Sequence, residues 1–386
     1  MLKLTPPQKT KIKMDKCKKK HDGEICKILA AMIDDECKRV NEQVKPFTGR
    51  KFAIFSAGAY ARRFYSWLSC AYGKDAECYI DNNPSFAGQT ACGKFILLRP
   101  WEKAPNFKDD SFVLIATIRD DYARQIARQL SDCGVPHVRS SAFQVAHGWE
   151  RYSKVVNTLD DDFSKLSYLG ELWRWLTGDN EYVQAVDHQY FAPKEFMTCY
   201  NEIVCDCGAY VGDTMEEYVK RGVGIGSSTK IYAFEPNPPL CTKMRHRLAR
   251  LQMEWELPDD QIEIIMGGVG ATSGIERFDM MQGEAVRTED GGNAFEVHAI
   301  DDFFADRPKP TLIKADIEGM ETDMLYGAKQ TIRENKPKLA ICLYHSPDDF
   351  YRVPEIVLEL NPNYKLLVRS HSMAFNETIL YCVDDT

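Results

Sequence analysis

Ile203-Val204-Cys205-Asp206-Cys207-Gly208-Ala209-Tyr210-Val211-Gly212-Asp213-Thr214 reads as a short apolar strand, a glycine turn and a helix that begins near Asp213. That order is the layout of a nucleotide site in a doubly wound α/β domain. The dinucleotide version needs glycine at the first turn position, because the backbone must approach a doubly negative pyrophosphate. Here the carboxylate of Asp206 stands in that place. An anion there opposes phosphates, which helix N-termini otherwise attract. A phosphate-free ligand with a positive end suits the position better.

Strands are predicted at 203–207, 230–234, 261–266, 311–315, 337–343, 364–369 and 378–383. The last two have no long helix between them, so an antiparallel terminal hairpin is expected on an otherwise parallel sheet. Residues 271–299 contain Gly274, Gly283, Gly291 and Gly292 with little periodicity and read as a loop or short hairpin near the strand ends. Upstream, strands at 51–55, 77–81 and 112–117 alternate with helices, which predicts a small Rossmann-like domain over 47–143. Residues 144–200 form a helical connector in which Trp149, Trp173, Trp175, Tyr190 and Phe191 either pack the domains together or lid a ligand. A segment at 1–46 combines a basic tail with an amphipathic helix whose apolar positions are Ile25, Leu29, Met32, Ile33, Cys37, Val40 and Val44. That stripe either packs on the first domain or pairs with a second copy of the chain. The fold class is therefore α/β with two Rossmann-like domains, the second one at 201–386.

The composition narrows the function. The chain has 386 residues and a net charge of −8, which argues against nucleic-acid binding through a basic field. No stretch approaches the roughly 20 apolar residues of a membrane span. The polar, lysine-rich start predicts no secretory signal and a cytoplasmic protein. The 13 cysteines are scattered, and Cys205 and Cys207 alternate on one strand, as buried small hydrophobes do in a reducing compartment.

Glu235 ends the second strand of the C-terminal domain, beside the first turn, where a carboxylate can accept two hydrogen bonds from a ribose diol. Gly208 and Gly212 let backbone approach a ligand. S-adenosylmethionine, with an ammonium, a sulfonium and no phosphate, matches this set. Asp316 closes the fourth strand, Glu318 follows it, and His345 follows the fifth. Asp316 or His345 is the candidate base toward an acceptor hydroxyl, with Glu318 orienting the acceptor. The alternative is a structural acid pair capping the next helix. Two acids and a histidine could also hold a divalent cation, but their spacing requires none.

Asp206-Cys207-Gly208-Ala209-Tyr210-Val211-Gly212-Asp213-Thr214, Ala233-Phe234-Glu235-Pro236-Asn237 and Lys314-Ala315-Asp316-Ile317-Glu318-Gly319-Met320-Glu321 resemble the FkbM family of S-adenosylmethionine-dependent methyltransferases. Ala299-Ile300-Asp301-Asp302-Phe303 is similar to that family as well. The resemblance implies a seven-stranded class I methyltransferase fold. By it, Asp206 and Gly208 hold the methionine part and Glu235 the ribose, with Gly212 and Asn237 in the same set. An adenine contact is expected from backbone around Gly268. It also implies O-methylation of a sugar, glycan or related natural product. In the first domain, Ser56-Ala57-Gly58-Ala59-Tyr60-Ala61 and Ile80-Asp81-Asn82-Asn83-Pro84 resemble small Rossmann domains of bacterial sugar-modifying transferases. Ser56 and Ala61 replace fingerprint glycines there, and Asp81 is either a ligand acid or a turn cap. Two other readings remain: a nucleotide-sugar dehydrogenase or epimerase using the first domain, and a non-enzymatic sensor of S-adenosylmethionine or nucleotide.

Overall fold

The computed structural model describes residues 19–104, 106–117, 119–222, 228–281, 284–287, 292–373 and 377–384. The basic tail through residue 18 lies outside the described residues, as do Gly283 and Gly291.

Helix α1 (Lys19–Val44) leads into the first sheet. That sheet comprises β1 (Lys51–Phe55), β2 (Ala76–Ile80), β3 (Thr90–Ala91), β4 (Lys94–Leu97), β5 (Ser111–Ile115) and β6 (His137–Arg139), in the order β3-β4-β2-β1-β5-β6. Only β3 runs antiparallel to its neighbour. Helices α2 (Ala59–Cys70), α3 (Pro100–Lys103), α4 (Phe107–Asp110) and α5 (Asp120–Asp132) connect these strands. Three strands were expected and six are present among the described residues. The additional ones are two to four residues long, too short to show a hydrophobic period.

Helices α6 (Ser140–Val156) and α7 (Asp162–Thr177) form the connector. Asp161 caps α7 by accepting the Ser164 N–H at 2.6 Å, and Gly178 ends it in a left-handed conformation. The apolar stripe of α1 is buried against α6 and α7 within the chain, and Trp149 Nε1 donates to Asp34 at 2.9 Å.

The second large sheet holds β7 (Ile203–Cys207), β8 (Lys230–Phe234), β9 (Ile262–Ile265), β14 (Leu312–Ala315), β15 (Lys338–Cys342), β16 (Lys365–Ser370) and β17 (Thr378–Val383). Its order is β16-β17-β15-β14-β7-β8-β9, with β17 antiparallel between β15 and β16. This is the expected seven-stranded fold with a terminal antiparallel hairpin. Helices α8 (Asp213–Gly222), α9 (Pro238–Trp255), α10 (Ile300–Phe303), α11 (Glu321–Gly327), α12 (Lys329–Asn335) and α13 (Asp349–Leu360) connect its strands. The inner strands β7, β8, β14, β15 and β17 are buried on both faces, hence their continuous apolar runs. Cys205 and Cys207 are fully buried, with sulfurs 3.5 Å apart.

The glycine-rich insert is more ordered than a loop. A four-stranded sheet, β10 (Gly268–Val269), β11 (Gly274–Met281), β12 (Glu284–Arg287) and β13 (Asn293–His298), occupies it. Ile275 is 70% exposed and Val297 is buried. A sheet with so little covered surface has no apolar alternation to read. No helix among the described residues is long and apolar enough to cross a membrane.

Candidate functional site

The strand order of the second sheet reverses between β14 and β7, and a cleft opens at the carboxyl ends of β7, β8 and β14. Gly208, Glu235, Asn237, Gly268, Asp316 and Glu318 border it, with Tyr210, Leu240, Val297 and Met320 adding apolar and aromatic walls. Its charged members among the described residues are three carboxylates, Glu235, Asp316 and Glu318, and no lysine, arginine or histidine borders it.

Asp206 does not border the cleft. It is fully buried, in register beside Lys314 of β14, which is 2% exposed. Lys314 Nζ lies 3.0 Å from Asp206 Oδ1 and donates to the carbonyls of Gly208 at 2.7 Å and Cys207 at 3.3 Å. Burial works against the ammonium, but Asp206 and Asp316 outweigh it and hold Lys314 above its ordinary range. Where a cationic ligand was expected, Asp206 faces the ammonium of the lysine that fastens the turn. A signal was present, because a lysine between Ile313 and Ala315 in a buried strand requires a counter-ion.

Gly208 has φ +78°, and a Cβ there would stand 1.8 Å from the Asp316 carbonyl oxygen, so only glycine fits. Gly212 does not border the cleft. An added Cβ would meet Met244 at 2.8 Å and Met215 at 2.9 Å, so this glycine seats α8 against α9. Glu235 is buried, Oε2 accepting the Tyr210 N–H at 3.1 Å and Oε1 the Asn237 N–H at 2.9 Å. Burial raises its carboxyl, against the pull of the two N–H groups. Each oxygen keeps a lone pair for a diol.

Asp316, Glu318 and His345 converge as the strand ends predicted. His345 Nε2 lies 3.4 Å from Asp316 Oδ1 and 3.6 Å from Glu318 Oε2. Asp316 also accepts from Tyr344 Oη at 2.8 Å and Tyr190 Oη at 2.7 Å. Burial opposes its charge, yet His345, Lys314 and Tyr190 hold the carboxyl well below the usual range. Asp316 is thus a fixed anion and a poor proton acceptor. His345 lies behind it, with Nδ1 2.9 Å from Glu321 Oε1. Burial disfavours the imidazolium, but Glu321 and Asp316 override it and raise the pKa well above the usual value.

Asp316, Glu321 and His345 are close enough together to hold a metal ion. The two ring nitrogens face different carboxylates, which places the ring between two acids. Sequence reasoning gave no role to Glu321, Tyr344 or Lys314. It left Tyr190 open between packing and lid, and the hydroxyl of Tyr190 holds Asp316. In the first domain, Asp81 accepts the Ala57 N–H at 3.0 Å and the Asn83 N–H at 2.9 Å, which is the turn-capping role.

Residues 206–368 match the family model for the methyltransferase FkbM domain. That stretch of the chain is similar to the methyltransferase FkbM domain. Its acid-ended strands and glycine turn fall inside the matched span. A crystal structure of methyltransferase FkbM from Methylobacillus flagellatus KT is similar over 95% of this chain and 100% of that one, with TM-score 0.55 at 20% identity, a likeness of fold. A putative rRNA-methylase from Clostridium thermocellum aligns with 49% of this chain and 88% of its own, with TM-score 0.32 at 10% identity. No curated protein matches the chain in sequence.

Proposed function

We propose that the FkbM domain transfers a methyl group from S-adenosylmethionine to a hydroxyl of a sugar, glycan or related natural product. The observation that carries this reading is the charge of the cleft: three carboxylates and no cationic side chain among its described lining. Such a lining disfavours a pyrophosphate and suits a cationic, phosphate-free donor. Glu235 would hold the ribose diol, and the Gly208 turn would admit the methionine part. Gly268, Leu240, Val297 and Met320 would enclose the adenine. When bound, the donor supplies an electrophilic methyl group.

The chain's own residues position the acceptor and remove its proton. Asp316, held by two tyrosine hydroxyls, is the fixed anion at the reacting end. Glu318 orients the acceptor. His345 does not border the cleft, so the acceptor's proton would reach its neutral ring by way of Asp316 Oδ1, 3.4 Å from Nε2, with Glu321 facing Nδ1. The acceptor class rests on the family resemblance and, by analogy only, on the resemblance of the first domain to sugar-modifying transferases.

Incubation with S-adenosylmethionine and a panel of glycans and hydroxylated natural products tests this reading by mass spectrometry. Gain of one methylene by an acceptor, with release of S-adenosylhomocysteine, supports it. Methylation confined to amines or thiols would overturn the O-directed part. Release of no S-adenosylhomocysteine with any acceptor would favour a sensor.

A further inference from the structure

Helix α2, beside the first sheet, touches the rim of the cleft through Arg63. Arg63, on α2, donates from Nη1 to the backbone carbonyl of Glu318 at 3.0 Å, and the same nitrogen lies 3.9 Å from Glu318 Oε2. The segment it grips is unusual. Glu318 has φ +59° and Gly319 has φ +95°, two successive residues in the left-handed region. A non-glycine residue held there is strained and persists only where its surroundings over-determine it. Glu321 fixes the near end by accepting the Ile317 N–H at 3.0 Å. Arg63 fixes the middle. A Cβ added at Gly319 would lie 3.8 Å from Arg63 Nη1 and 3.9 Å from the His345 Cβ, so the segment runs between the arginine and the histidine.

Helix α2 is itself held against the second sheet's layers. Tyr60 stacks on Trp175 with centroids 6.5 Å apart, and Trp175 meets Phe350 of α13 edge-on at 6.5 Å. Ala61, Phe64 and Leu68 are buried on the same helix. The Arg63 side chain is 21% exposed and that of Glu318 is 42% exposed, so the contact sits at the rim of the cleft, where an acceptor would enter.

We infer that Arg63 is a positioning residue through which the first domain sets the Glu318 carboxylate beside His345 for methyl transfer. The role of the first domain is then to complete the C-terminal site from outside its own sheet. This rests on the methyl-transfer reading for its functional half. Its structural half stands alone.

Arg63→Ala and Arg63→Lys in the full chain test both halves. Hydrogen exchange read by mass spectrometry should show the segment 317–320 losing protection in Arg63→Ala and recovering part of it in Arg63→Lys, while β7 and β14 stay protected. With the wild-type acceptor, kcat should fall roughly tenfold to a hundredfold in Arg63→Ala, with S-adenosylmethionine affinity by calorimetry unchanged within a few-fold and Arg63→Lys intermediate. Unaltered exchange at 317–320 would overturn the inference whatever the reaction. Unaltered kcat in Arg63→Ala, with an active wild type, would overturn the positioning role. An inactive wild type whose segment loosens in Arg63→Ala would support the clamp and count against the methyl-transfer reading itself.

Discussion

The central strands of the two large sheets end in the same geometry with different chemistry. β1 lies between β2 and β5, as β7 lies between β8 and β14. Ser56 N–H donates to the carbonyl of Ile80, as Gly208 N–H donates to that of Phe234. Asp81 follows β2 and binds two turn N–H groups, as Glu235 does after β8. At one register Ile54 pairs with Leu114, where Asp206 pairs with Lys314. Ala116 N–H donates to the Phe55 carbonyl, as Asp316 N–H donates to that of Cys207. The first domain therefore keeps the fold and the turn-capping acid. It lacks the buried ion pair, the glycine and the acid at the Asp316 place. Those three are not requirements of the architecture, since the same architecture forms without them. They belong to what the second domain does.

The buried pair gives the largest expected effect. Lys314→Ala should destabilise the protein by about 3–5 kcal/mol, because it leaves Asp206 buried without a partner. The double variant Asp206→Leu with Lys314→Met, which copies the apolar character of Ile54 and Leu114, should recover most of that in urea unfolding. A single variant that loses less than about 1 kcal/mol would break the comparison, because it would make the pair as dispensable as a surface bridge.

Asp316→Ala places in the second domain the residue that the first one has. Turnover should fall on the order of 10²–10³-fold, with S-adenosylmethionine affinity kept within a few-fold by calorimetry. Lost affinity with the fold intact would move Asp316 from the acceptor side to the cofactor side.

The pH dependence separates the two turns further, because Ile54, Leu114 and Ala116 do not titrate. His345 has a folded pKa above its unfolded value of about 6.5. Its ion pairs then contribute stability in full below that pH, and the contribution is lost as pH rises through the folded value. Turnover should run the opposite way, since the neutral ring grows over the same window. Unfolding midpoints and kcat/KM against pH should show both limbs, and His345→Gln should flatten them. A turnover rise centred at or below the ordinary histidine range would contradict the placement of the imidazolium between Glu321 and Asp316.

Ser56 offers the smallest effect. With φ +99° it holds a side chain where Gly208 has none. Ser56→Gly should stabilise the protein by about 1 kcal/mol, the relief of strain exceeding the added unfolded-chain entropy. Thermal unfolding measures it, and a loss of stability would mean that the hydroxyl has a function in that turn.

The same comparison shows what was legible in the sequence. The long parallel strands were, because burial on both faces writes continuous apolar runs such as those at β7 and β14. The acids at strand ends were legible as a set, and Glu235, Asp316, Glu318 and His345 do gather. The direction in which Asp206 points was not. Asp206 and Lys314 are 108 positions apart, and only their strand register places one against the other. Tyr190 was equally opaque, since a tyrosine in an aromatic-rich connector reads as packing until its hydroxyl is seen to find Asp316. The exposed β10–β13 sheet left no pattern, because alternation records burial and most of its described side chains face solvent.

Calorimetric titration of S-adenosylmethionine and of NAD into the wild type and Glu235→Gln tests the electrostatic reading of the cleft most directly. The account expects S-adenosylmethionine to bind, NAD to give no binding heat, and the variant to weaken S-adenosylmethionine by about tenfold or more, the loss of one charged hydrogen bond. NAD binding that strengthens in Glu235→Gln, or no binding of S-adenosylmethionine to the wild type, would contradict it.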